Sequence, residues 1–329
     1  MFILQNYSSA VIFCVITMIC WGSWANTQKF SSKEWRFELY YWDYGIGVLL
    51  SSLLLAFTLG SNGEAGRAFL DDISQADTPS LQSAFVGGVL FNLANILLVA
   101  AIGIAGMSVA FPVGIGLALV IGVATNFMDH PTGNVFIISS GVLMIVLAII
   151  LNAMAYRDVL GKSKGQKGLI LSLIAGSLMG FFYKYVASSM AQNFTAPELG
   201  KLSPYTALFM FSTGLLLSNL LLNYLQMKFP FQGKNLSFSD YFSGSLKDHL
   251  MGILGGLIWF IGMAFSILAS EKAGPALSYG LGQGATLVAA LWGIYIWKEF
   301  KLANKVTKIK LNLMLILYAF GLAVLILSK

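Results

Sequence analysis

The chain has 329 residues, 57% of them hydrophobic and 10% charged, with a mean hydropathy of +0.77 and a formal net charge of +6. Soluble domains average about 25% charged residues, so this chain lacks the polar groups to cover a water-facing surface and is expected in a lipid bilayer. Its basic residues are scattered over short loops, not gathered on one face, which excludes nucleic acid as the partner.

The opening MFILQNYSS lacks a basic n-region, so the first apolar run is expected to stay in the mature protein. A bilayer core needs about 20 apolar helical residues per crossing. Ten stretches meet that need, at 8–28, 39–59, 81–102, 107–127, 133–156, 168–191, 204–227, 248–270, 275–297 and 311–328. All are continuous and too long for barrel strands, so the fold class is all-α integral membrane.

Span one holds Cys14 and Cys20, which read as packing residues without a disulfide framework. It ends in CWGSWANTQK (20–29), where Trp21, Trp24 and Gln28 share a helical face at i, i+3, i+7. In span two, Asp43 lies about one turn inside the membrane. It is either the carrier of a coupling proton or the partner of Lys29 at the same depth. Span three places Asn92 and Asn95 together near mid-membrane, where an amide either binds a polar solute or joins helices. Span four carries Pro112, Gly114 and Gly116, which let a helix bend and approach its neighbours, Pro112 by interrupting it. Lys184 near the end of span six, and Glu271 beside Lys272 at the end of span eight, are the other coupling-ion candidates. Snorkelling explains the first equally well, and capping or pairing the second. Span eight also carries Trp259 at mid-depth. Span nine has a stripe of Tyr279, Gln283 and Thr286 at i, i+4, i+7, interleaved with Gly280, Gly282 and Gly284.

Lysine and arginine are concentrated in the odd-numbered loops. Lys29, Lys33 and Arg36 lie in the first, and Arg157, Lys162, Lys164 and Lys167 in the fifth. The even loops and tails hold only Arg67, Lys201, Lys272 and Lys329. The odd loops are therefore expected in the cytoplasm and both termini outside.

The chain also repeats itself. Residues 87–106 align without a gap on 255–274, a spacing that pairs Gly114 with Gly282 and Gly116 with Gly284; LLSSLLL at 49–55 matches LLSNLLL at 216–222. Spans one to five (1–160) thus recur as spans six to ten (161–329), and an odd number of spans inverts the second copy. Inverted repeats mark secondary transporters, with the substrate near the midplane between the halves. Tyr279, Gln283 and Thr286 correspond to Phe111, Ile115 and Ala118, and Asn92 and Asn95 to Phe260 and Met263. Each half therefore brings a different polar helix to an asymmetric ligand.

The segments CWGSWANTQK, WRFELYYWDYGIG (35–47), FNLANILLVAAIGIAGMSVAFPVGIGLAL (91–119) and ILNAMAYR (150–157) resemble bacterial relatives of the ureide permeases, within the drug/metabolite transporter superfamily. The resemblance spans essentially the whole chain. It implies ten helices in a 5+5 inverted repeat in the bacterial inner membrane, and uptake of a small neutral polar solute (ureide, nucleobase, nucleoside or sugar) with a proton, or a sodium ion, as coupling partner. An exporter of the same fold and a channel are the rival readings. YRDVLGKS (156–163) lacks the leading glycine of a P-loop, so no ATP site or other cofactor is expected. His130 and His249 fall in loops, and no nucleophile–base pair or metal cage is present to suggest an enzyme.

Overall fold

The computed structural model describes residues 1–105, 107–160 and 166–329, with the side chains of 107–109, 111, 112 and 160 also left undescribed. Gly106, Lys162, Lys164 and the side chain of Pro112 thus lie outside the described residues.

The chain runs through α1 (Tyr7–Ser23), a 3-10 segment (Trp24–Phe30), α2 (Phe37–Phe57), the short α3 (Phe69–Gln75), α4 (Thr78–Ala105), α5 (Met107–Asp129), α6 (Val135–Leu160) and α7 (Gln166–Ser189). It continues through α8 (Pro204–Lys228), the short α9 (Phe238–Phe242), α10 (Leu246–Ala273), α11 (Pro275–Gly282), α12 (Ala285–Leu291), a π-helical turn (Trp292–Ile296) and α13 (Lys305–Ile326). No strand occurs among the described residues; one bridge pairs Met190 with Leu202. Eight helices among the described residues are long and apolar enough to cross a membrane: α1 with its 3-10 extension, α2, α4, α6, α7, α8, α10 and α13.

Helix starts follow local chemistry. Asn6, Ser203 and Asn304 cap α1, α8 and α13 with side-chain oxygens, and Ser245 with Asp248 forms a reciprocal capping box on α10. That box places His249 in the first turn of α10, not in a loop. The 3-10 winding of Trp24–Phe30 also departs from the α-helix expected to residue 28. The backbone of α5 stays helical through Pro112, so the interruption expected there does not occur. The interruption falls instead in the span expected at 275–297. There α11 stops at Gly282, Gln283 and Gly284 turn the chain, and the helix resumes at Ala285.

Packing explains where glycine was needed. A Cβ on Gly22 would lie 2.5 Å from the Ala285 carbonyl oxygen, and one on Gly284 would collide with the Met18 side chain. Helix α1 and the broken helix therefore touch backbone to backbone. Helix α4 packs on α7 and α8, α10 packs on α1 and α2, and α6 packs on α13. Two crossings use glycine on both sides. On α4 and α8, a Cβ on Gly88 would strike the Phe211 carbonyl and one on Gly214 the Phe85 carbonyl. On α10 and α2, Gly256 faces the Tyr44 carbonyl and Gly47 the Ile253 carbonyl.

Buried polar groups join the helices. Asn219 and Asn223 of α8 donate to the Tyr41 and Glu38 carbonyls of α2 at 3.2 and 2.8 Å. The Tyr183 hydroxyl of α7 donates to the Ser266 carbonyl of α10 at 3.0 Å and lies 3.3 Å from Ser278 Oγ of α11. The chain ends are neighbours, because Tyr7 Oη donates to the Ile326 carbonyl at 2.6 Å. Leu50, Leu54 and Phe57 on α2, Leu143 and Leu147 on α6, and Leu313, Ile316 and Phe320 on α13 are exposed outward, as lipid-facing side chains are.

Candidate functional site

A cavity of about 350 Å³ lies between the helices, within the size range of small-molecule sites. Its deep end is aromatic. Phe91 of α4, Phe182 of α7 and Trp259 of α10 meet there, the Phe91 and Trp259 rings 4.4 Å apart. Its walls descend along Trp21 and Trp24 of α1 and its 3-10 extension, Asn95 and Leu98 of α4, Asn152 and Tyr156 of α6, and Gln283 and Thr286 of the broken helix. Its other end is at the odd-loop side, among Gln28, Lys29, Phe37, Trp297 and Glu299. Beyond the deep end, the Tyr183–Ser266–Ser278 hydrogen bonds and the fully buried Tyr279 close the even-loop side.

Seven of the nine substrate-binding residues read from the sequence line this space: Trp21, Trp24, Gln28, Asn95, Trp259, Gln283 and Thr286. Trp21 and Trp259 stack with centroids 6.0 Å apart and planes 12° from parallel, and Trp21 Nε1 donates to the Trp259 carbonyl at 3.2 Å. Gln283 follows α11 at the break, 7% exposed, and its side-chain amide bonds to no protein group among the described residues. Asn95 Nδ2 donates to the Tyr41 hydroxyl at 3.1 Å.

The other two point elsewhere. Asn92 faces α8, where its Nδ2 donates to Ser218 Oγ at 2.9 Å. Asn92 and Asn95 thus diverge from the face they were expected to share. Tyr279 is buried between α5 and α7 and donates to the Met179 carbonyl at 3.1 Å. The break after Gly282 separates it from the cavity side of the stripe, because a turn at 283–284 resets the helical phase.

Charged residues lie away from the deep end. Asp43 pairs with His249 Nδ1 at 2.9 Å and accepts from the Tyr241 hydroxyl at 2.6 Å, so the expected Lys29 partner is not used. Burial first, and then the Asp43 carboxylate it donates to, raise the pKa of Tyr241 on α9 and keep it a donor. Lys29 bonds instead to Glu299 at 3.5 Å and sits 4.2 Å above the Trp297 ring. Glu299 also accepts from the Tyr156 hydroxyl at 2.8 Å. Lys184 pairs with Asp129 at 3.0 Å; Glu271 pairs with Lys272 at 3.4 Å and accepts from the Phe194 amide. Among the glycines, a Cβ on Gly282 would meet the Trp21 ring, one on Gly114 the Leu98 side chain, and one on Gly280 would lie 3.2 Å from Val123. A Cβ on Gly116 would meet nothing within 4 Å.

The ureide permease family model matches residues 40–163 and 157–328. The chain is 22% identical to ureide permease 2 of Arabidopsis thaliana over 396 residues, spanning 100% of this chain and 99% of that protein. It is 26% identical to the glucose uptake protein GlcU of Bacillus subtilis (strain 168), over 71% of this chain and 75% of that one. One solved protein structure superposes with a TM-score of 0.60 over 97% of this chain and 96% of its own, at 16% identity, a likeness of fold alone.

Proposed function

Because this chain belongs to the ureide permease family, a family of membrane transporters and not of enzymes, we propose that it is a secondary active importer of a small neutral polar solute. The cavity carries this reading. Its aromatic faces suit a ring or a sugar face, and its amides can both donate to and accept from neutral polar groups. Ureide permease 2 and GlcU are named for a ureide and for glucose, which sets the solutes to try first.

Movement is by alternating access between two inverted five-helix halves, 1–160 and 161–329. The glycine crossings support this: Gly88 against Gly214 on α4 and α8 matches Gly256 against Gly47 on α10 and α2, at the sequence spacings of the repeat. The broken helix at 283–284 belongs to the discontinuous helices that line transporter sites. Closed at the even-loop side and open toward Lys29 and Glu299, the conformation faces the cytoplasm in a topology with both termini outside a bacterial inner membrane.

A proton couples the cycle, and of the three candidates Asp43 has the best-suited surroundings. It is 2% exposed and shares its oxygens with a second titratable group, His249. It lies off the cavity, so it acts through the tight contact of α2 on α10, the helix that carries Trp259. An exporter is the weaker reading, because it calls for a membrane-embedded carboxylate in the cavity wall, and Asp43 lies off the cavity. Among the described residues the carboxylate lining the cavity is Glu299, at the mouth and bonded to Lys29.

Purified protein in liposomes, offered labelled allantoin, uracil, inosine, ribose and glucose with and without an inward proton gradient, tests the proposal. Saturable uptake of at least one, raised by the gradient, is expected. No uptake of any would sink it.

A further inference from the structure

Helix α6 was not read from the sequence as part of the site, yet it presents Asn152 and, one turn later, Tyr156 to the cavity. The Tyr156 hydroxyl is anchored on Glu299 of the segment following the broken helix, which holds this face of α6 toward the lumen. Asn152 itself is 5% exposed, and its Oδ1 is buried without a hydrogen-bond partner.

Other buried asparagines behave differently. Asn92, Asn126, Asn219 and Asn223 also leave Oδ1 unpaired, but each spends its Nδ2 on another protein group. They join helices or brace their own. Asn152 makes neither bond among the described residues, and of this set it alone lines the cavity. An amide bonded to protein at neither edge contributes no hydrogen bond to the fold, and its buried oxygen carries a desolvation cost. That cost is recovered only when something in the lumen bonds to it.

We propose that Asn152 is a direct ligand of the transported solute. This rests on the transporter reading above and adds the wall that it left without a role. A primary amide offers a donor and an acceptor side by side, and rotation about χ2 exchanges them. The matching solute presents a neutral donor next to an acceptor, either the N–H and C=O of an amide edge or the hydroxyls of a sugar.

A role in binding and a role in folding predict opposite results. Asn152→Leu keeps the γ-branched shape and removes the unpaired acceptor, so the thermal midpoint of the purified protein without solute should hold or rise. Equilibrium binding of labelled uracil, allantoin and glucose, measured on the same preparation, should show the Kd of the solute that wild type binds rising tenfold or more. Asn152→Ala, smaller and free of any crowding, should show the same loss of affinity. A loss read with uracil or allantoin assigns an amide edge and one read with glucose a hydroxyl pair; either supports the inference. Unchanged affinity in both variants, or a lowered midpoint with unchanged affinity, overturns it and leaves the transporter reading intact. Wild-type protein that binds none of the three overturns both.

Discussion

Alanine in place of Gly88 or Gly256 should loosen the molecule by similar amounts, because the two glycines occupy matched crossings in the two halves. A Cβ on Gly88 would lie 2.8 Å from the Leu215 nitrogen and 2.9 Å from the Phe211 carbonyl carbon; on Gly256, 2.9 Å from the Val48 nitrogen and 3.0 Å from the Tyr44 carbonyl carbon. The Phe211 and Tyr44 carbonyl oxygens lie closer still; all of these obstacles are backbone and cannot rotate aside, so α8 or α2 must retreat by about an ångström, an overpacking of the kind that costs about 1–3 kcal/mol. Since nothing flexible can yield, about 3 kcal/mol applies, offset by the ~1 kcal/mol that alanine gains over glycine in a helix. The net loss is about 2 kcal/mol, or on the order of 4–8 °C in thermal midpoint. Gly116→Ala is the control: with nothing within 4 Å, it should be neutral or stabilised by up to about 1 kcal/mol. Melting followed by size-exclusion chromatography in detergent measures all three. A fall in only one of the Gly88 and Gly256 variants refutes the matched halves, and a fall in neither refutes the backbone contact itself.

Three other outcomes are expected. Gln283→Leu should express and fold but bind solute about 1–3 kcal/mol more weakly, roughly five- to more than a hundredfold, in the same labelled-solute assay; equal affinity would remove the broken helix from the site. Asp43→Asn should abolish accumulation against a gradient in liposomes while solute exchange persists, since exchange moves no net proton; continued accumulation would make the Asp43–His249 pair structural. In a background lacking Cys14 and Cys20, cysteines at Ser61 and Lys201 should react with a membrane-impermeant maleimide on intact cells and one at Lys305 should not; reaction at Lys305 would reverse the orientation.

Long apolar runs made the helices legible in the sequence, because hydrocarbon leaves the backbone no other way to satisfy its hydrogen bonds. Helical spacing also assembled much of the cavity wall, as the shared lining by Trp21, Trp24 and Gln28 illustrates. Spacing says which side chains share a face, not which neighbour that face meets. Asn92 and Asn95 look alike in sequence, but one meets α8 and the other the cavity. Tyr279 and Gln283 were parted by a turn whose position depends on how closely Met18 and Gly22 approach the chain at 284–285. The Asp43–His249 pair joins residues 206 apart, and the Lys29–Glu299 pair residues 270 apart, which periodicity does not reach. Asn152 sat unnoticed in ILNAMAYR because nothing near it in sequence marks an amide as unpaired.

The aromatic walls give the molecule a signal of its own. Of seven tryptophans, Trp21, Trp24, Trp259 and Trp297 line the cavity, whereas Trp35, Trp42 and Trp292 do not. Indole emission follows the polarity and quenchers around the ring, and here most of the emitters surround the space a solute would fill. Entry of a solute exchanges water for a less mobile neighbour against those four rings, so occupancy is written into the ultraviolet emission of the unlabelled protein. The Lys29 ammonium above Trp297 places the ring at the mouth in a different field from the pair stacked at depth. Two populations of light can thus separate a solute waiting at the entrance from one seated inside.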